Sequence, residues 1–138
     1  MPFRVLIADD IGVVRSVVRN IFISLGLEEG NVIEAANGAA ALKAVREEDL
    51  GLVVTDWNMP QASGIEVLQA VREENESLPV LFLTSNNMRD EVLLAVAAGA
   101  DDYILKPFTH VQVTEKLSYW LRHAQTNAAA ATTAEASE

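Results

Sequence analysis

The chain has 138 residues, with 10 Lys and Arg against 20 Asp and Glu for a formal charge of −10, and no cysteine. That length suits one domain with a real core, and an apolar share of 50% is too high for a disordered chain. The missing cysteine removes disulfide scaffolds, thiol nucleophiles, Cys-ligated zinc and iron–sulfur clusters, and the acid excess argues against a nucleic-acid backbone or an anionic membrane as partner.

No segment approaches the ~20 apolar residues that span a bilayer. The start, Met1-Pro2-Phe3-Arg4-Val5, lacks the basic, apolar and small-residue regions of a signal peptide. A cytoplasmic location is the expectation.

Two kinds of segment alternate along the chain. Short apolar runs at Phe3–Ala8, Val32–Ala35, Leu52–Thr55 and Val80–Thr84 read as strands buried on both faces, with a weaker fifth at Asp102–Leu105. Between them lie stretches with helical spacing. Val14, Val17, Val18, Ile21, Phe22 and Leu25 form one apolar stripe, Ile65, Leu68 and Val71 another, and Val113, Leu117, Trp120 and Leu121 a third. Ser63-x-x-Glu66 and Thr109-x-x-Gln112 fit capping boxes, and Phe108 with Val113 fits a hydrophobic staple. Gly26 and Gly99 mark helix ends. The order is β-α repeated five times, which predicts a doubly wound α/β fold, a five-stranded parallel sheet flanked by five helices. Residues 1–123 are expected to form the domain. Residues 124–138, seven of them Ala, are expected to form a frayed, solvated extension, with enough helix propensity to lengthen the last helix.

Ligands of open parallel sheets bind at the carboxyl ends of the strands. There the sequence places Asp9 and Asp10 after strand 1, Asp56 after strand 3, Thr84 after strand 4 and Lys106-Pro107 after strand 5. Three carboxylates in one cleft repel and raise one another's pKa, so cationic compensation is required. Lys106 supplies one charge. The remaining donors are hard oxygens, which suit Mg²⁺. A cation, a lysine and a hydroxyl together form a set for stabilising a transferring phosphoryl group, with one carboxylate as nucleophile. Spacing does not say which aspartate is attacked.

The pieces Ala8-Asp9-Asp10, Arg15, Thr55-Asp56-Trp57-Asn58-Met59-Pro60, Ser63-Gly64, Leu83-Thr84-Ser85, Gly99-Ala100-Asp101-Asp102-Tyr103 and Lys106-Pro107-Phe108 together resemble the receiver domain of two-component response regulators, over about residues 3–123. The single-domain chemotaxis regulators are the members most similar. The resemblance implies a flavodoxin-like sheet of strand order 2-1-3-4-5. It implies Asp56 as phosphoacceptor, and Mg²⁺ held by Asp10, Asp56 and the backbone carbonyl of Asn58, with Asp9 orienting a water of the ion's shell. It implies Lys106 pairing with the phosphoryl group through a cis Lys106-Pro107 bond, Thr84 donating its hydroxyl, and Tyr103 turning inward as Thr84 moves. Ser63 stands where an aspartate often precedes the family's glycine, and Gly12 is an unexpected residue early in a helix.

The expected function is a phosphorylation switch of a two-component system, rather than a classical enzyme, that assists its own phosphorylation and dephosphorylation. A sensor histidine kinase would be the donor. The face of helix 4, strand 5 and helix 5, with Met88, Arg89, Tyr103, Phe108, Gln112 and Lys116, would bind an output protein such as a flagellar motor switch component, and a phosphatase is a possible further partner. A phosphorelay or phosphate-sink receiver is the nearest alternative. An aspartyl-phosphate phosphohydrolase fits less well, since Asp9-Asp10-Ile11 lacks a DxD nucleophile motif and no residues remain for a substrate cap. A pseudo-receiver scaffold is disfavoured by the complete acidic set. His110 and His123 read as surface residues, and Trp120 as part of a buried stripe.

Overall fold

The computed structural model describes residues 3–84, 96 and 98–136, with side chains described as far as residue 126. The elements run β1 (Arg4–Ala8), α1 (Gly12–Ser24), a short 3₁₀ turn (Glu29–Asn31), β2 (Val32–Ala35), α2 (Gly38–Glu47), β3 (Leu50–Asp56), α3 (Gly64–Glu74), β4 (Val80–Thr84), β5 (Asp102–Leu105) and α4 (His110–Ala136). The helix expected between β4 and β5 falls at residues outside the described set, as do Met88 and Arg89. The last helix of the sequence reading is therefore α4. Its backbone continues to Ala136, and Ala124 is its last buried side chain among those described.

All strand pairs are parallel, and the sheet order is β2-β1-β3-β4-β5. The strands obey the period-two rule of a sheet covered on both faces. Val5, Ile7, Leu52, Val54, Leu81 and Leu83 point to one side, where Val18, Ile21 and Phe22 of α1 and Val113, Leu117 and Leu121 of α4 meet them. Leu6, Ala8, Val53, Val80 and Phe82 point to the other, against Ala41 and Val45 of α2 and Val67, Leu68 and Val71 of α3. β5 is the exception. Of its four residues only Ile104 is buried, in keeping with an edge strand.

Helix ends follow the local chemistry. Ser63 and Glu66 form the expected capping box. At α4, Gln112 N–H donates to Thr109 Oγ1 at 3.1 Å, and Thr109 N–H donates to Gln112 Oε1 at 2.9 Å. Phe108 and Val113, the expected staple pair, belong to the same core cluster. Gly26 takes φ 109° after α1, the left-handed conformation that terminates a helix.

Arg72, in the last turn of α3, ties the edge of the sheet remote from the strand carboxyl ends. Its guanidinium donates to the carbonyls of Asn75, Leu78 and Gly99 and to Asp101 Oδ2. That carboxylate also accepts from Val80 N–H at 2.8 Å. Arg72 supplies the cation that the acidic run Glu73-Glu74-x-Glu76 lacks at this helix C-terminus.

The start of α3 packs directly on the end of β3. A Cβ added to Gly64 would lie 2.3 Å from the Asp56 carbonyl oxygen and 2.6 Å from Phe82. Backbone cannot yield to that approach. Gly64→Ala is expected to lower stability by about 3 kcal/mol, the upper end for overpacking, as read by urea denaturation at neutral pH.

Candidate functional site

Registry brings the strand ends together. Ala8 pairs with Thr55, Asp56 with Leu83, and Thr84 with Leu105. Asp9, Asp56, Thr84 and Lys106 therefore stand on one edge, each at or one residue beyond the end of its strand.

Asp9 is fully buried and has every polar group engaged. Its N–H donates to Ala35 O at 3.1 Å. Its Oδ1 accepts from Ile11 N–H at 2.9 Å, an Asx-type turn that starts α1, and its Oδ2 accepts from Lys106 Nζ at 2.7 Å. Its carbonyl accepts from Arg15 Nη1 at 2.7 Å. Asp10 is exposed beside it.

Asp56 is 8% exposed. Trp57 N–H donates to its Oδ1 at 2.8 Å, and Lys106 Nζ stands 3.5 Å from its Oδ2. Lys106 thus bridges two carboxylates, and it is held from behind by its own N–H donating to Thr84 O at 2.7 Å. The Lys106-Pro107 bond is cis. Thr84 is 4% exposed at the end of β4. Asn58 is exposed in the loop after β3, and Trp57 packs on Phe82 with ring centroids 5.2 Å apart.

One carboxylate oxygen from each of Asp9, Asp10 and Asp56 lies within 4.8 Å of the others. That span suits one small divalent ion with metal–oxygen distances of about 2.1 Å, and the donor set is purely hard oxygen. The residues fit the cation that the sequence calls for.

Tyr103 points outward and is 38% exposed. Lys116 Nζ lies 5.6 Å from its ring centroid. Phe108 packs partly against the core and Gln112 serves as the capping partner of Thr109, so these two expected contact residues also have structural work. His110 and His123 are exposed.

The pairing role of Asp102 escaped the sequence reading. Its Oδ1 accepts from Lys116 Nζ at 2.6 Å and from Tyr103 N–H, and its Oδ2 accepts from Trp120 Nε1 at 2.9 Å. Although burial opposes its ionisation, these donors hold its carboxyl below the usual carboxylate value. Trp120 is therefore more than a member of an apolar stripe. Only the adjacency of an acid at a strand start to Lys and Trp on a helix could have signalled it, and that adjacency is tertiary.

A doubly wound parallel sheet with an acid cluster and a lysine at its carboxyl edge defines a class of phosphoryl-accepting switch domains, and comparison with known proteins places the chain within it. Residues 5–118 match the response regulator receiver domain family, and the chain belongs to that family. It is 41% identical over 116 residues to "Chemotaxis protein CheY-3" of Vibrio cholerae, covering 83% of this chain and 88% of that one. It is 39% identical over 116 residues to "Chemotaxis protein CheY" of Pseudomonas aeruginosa, covering 83% and 92%. Among solved structures it superposes on chemotaxis response regulator CheY4 of Vibrio cholerae with a TM-score of 0.77 at 28% identity, over 87% of this chain and 99% of that one. The chain is a CheY-like receiver domain, a signalling switch rather than a classical enzyme. Among the described residues no helix is long and apolar enough to cross a membrane.

Burial, then repulsion from Asp9, pushes the Asp56 carboxyl up from 3.8 to about 6, against the lowering effect of Lys106 and the Trp57 N–H. The folded, metal-free protein therefore holds this proton more tightly than the unfolded chain. The resulting stabilisation is complete below pH 3.8 and is lost as pH rises through about 6. At pH 7.5 in EDTA the ionised Asp56 is a liability of up to roughly 3 kcal/mol. Asp56→Asn is expected to melt above the unsubstituted protein at that pH, with the gap closing toward pH 4, as read by calorimetry in both buffers.

Proposed function

We propose that Asp56 accepts a phosphoryl group from the phosphohistidine of a sensor kinase, and that the modified protein then binds an output partner. The observation that carries this reading is the bridging of Asp9 and Asp56 by Lys106, 2.7 Å and 3.5 Å away, beside the exposed carboxylate of Asp10.

Asp10, Asp56 and the Asn58 carbonyl would hold Mg²⁺, with Asp9 supporting them from behind. When bound, the ion would offset the negative charge that gathers as the phosphoryl group enters. Trp57 N–H orients the Asp56 carboxylate through Oδ1, and Oδ2 is the oxygen that Lys106 approaches. Asp56 Oδ2 attacks phosphorus in line as the phosphorus–nitrogen bond breaks, the bonding pair stays on that nitrogen, and the proton already on the ring's other nitrogen lets the imidazole leave neutral. Lys106 already lies within reach of that oxygen, and exchanges Asp9 for the arriving phosphoryl oxygens. Thr84 donates its hydroxyl to one of them. The group brings roughly −1.5 to −2 charges.

Tyr103 then turns inward from its exposed position, and the surface that includes Tyr103, Phe108, Gln112 and Lys116 changes shape. The modification needs only to bias an existing equilibrium by a few kcal/mol. Identity of about 40% to chemotaxis proteins supports an output of that kind, with a flagellar motor switch component as the partner class, in the cytoplasm. Residues 1–123 form the switch, and the last helix continues beyond them to Ala136.

Two measurements test the reading. Incubation with acetyl phosphate and Mg²⁺ is expected to add one phosphoryl group to the protein by intact mass, and none to Asp56→Asn; continued incorporation in the variant would overturn the assignment. Millimolar Mg²⁺ is also expected to raise the melting temperature, by about 2.7 kcal/mol of stabilisation at a hundred times Kd. A flat response across that range would count against a cation site.

A further inference from the structure

The peptide that joins Asp9 to Asp10 is held from one side by a guanidinium. Arg15 Nη1 donates to the Asp9 carbonyl at 2.7 Å, and Arg15 Nε pairs with Glu34 Oε1 at 3.3 Å. Glu34 is held by the backbone of β2, and Arg19 approaches its other carboxylate oxygen at 3.4 Å. Asp9 needs no further fixing, since its N–H and both carboxylate oxygens are already engaged. Asp10 differs. It is exposed, and no hydrogen bond or ion pair holds its carboxylate among the described residues. The peptide that precedes it places its Cα, and the carbonyl of that peptide is the atom Arg15 grips.

We infer that Arg15 is a positioning residue for the divalent cation, acting through the Asp9 carbonyl to aim the Asp10 carboxylate into the cleft. This rests on the cation-binding reading above. The chain from β2 through Glu34 and Arg15 to the Asp9–Asp10 peptide restrains the backbone from which the Asp10 carboxylate projects. Groups that orient a ligand without touching the ion commonly set affinity by factors of ten or more.

The sign of the effect separates this role from a plain electrostatic one. Arg15 carries a positive charge beside an acidic cleft, so charge alone says that its removal should tighten cation binding. Positioning says the opposite. Arg19 provides the control, because it carries the same charge on the same helix but donates to Val32 O, Glu29 O and Glu34 instead of to Asp9.

The experiment is a titration of tryptophan fluorescence with MgCl₂ alone, with melting temperature read alongside. Arg15→Gln is expected to raise the Mg²⁺ Kd by about tenfold, and Arg19→Gln to leave it unchanged or slightly lower. Arg15→Lys keeps the charge, but one ammonium cannot span both Glu34 and the carbonyl, so an intermediate Kd is expected; it also gives the reading if Arg15→Gln fails to fold. An unchanged or tighter Kd in the Arg15 variants, with normal binding by the unsubstituted protein, would overturn the inference and leave the cation site standing. No Mg²⁺ response in the unsubstituted protein would overturn both.

Discussion

Three carboxylates that cannot comfortably share a cleft are the constraint around which the molecule is arranged. Two of them, Asp9 and Asp56, are buried, where like charges are screened least. A single lysine from the far side of the sheet stands between them. The arrangement requires the β1, β3 and β5 ends to be level, which in turn requires a parallel sheet with this registry and order. The continuous apolar runs of β1, β3 and β4, covered by helices on both faces, are what make such a sheet stable. The raised Asp56 pKa is the trace of a conflict that Lys106 reduces but does not remove. A site with unresolved negative charge is one that responds when charge is added or neutralised.

Much of this was legible from the sequence, and the reasons are physical. Buried strands read as unbroken Val, Ile and Leu, so Val80–Thr84 matched the structure residue for residue, while β3 proved longer at both ends because Gly51 cuts Leu50 off from the apolar run and Asp56 is charged. Both capping boxes formed, since their donors and acceptors lie within three residues of each other. The carboxylate cluster followed from the rule that parallel strands end together. The chemistry of each member did not follow from that rule; resemblance to the receiver family supplied it.

Tertiary pairings were the hidden part. Nothing local announces that Asp102 gathers Lys116 and Trp120, fourteen and eighteen residues away, or that Arg15 reaches back six residues to a carbonyl. Gln112 and Phe108 show the reverse limit. They were expected on a contact surface, and each also has a structural task, capping or packing, that a surface assignment made from sequence does not register.

Arg72 has a mechanical consequence. Its guanidinium holds the Gly99 carbonyl with two nitrogens and pairs with the Asp101 carboxylate, which also takes the Val80 N–H, while Asp101 N–H donates to Val80 O. The first residue of β4 and the residue that leads into β5 are thus fastened to α3 at the rim opposite the cleft. One anchor serves both strands, so the ends that carry Thr84 and Lys106 are levelled from the other end of the sheet.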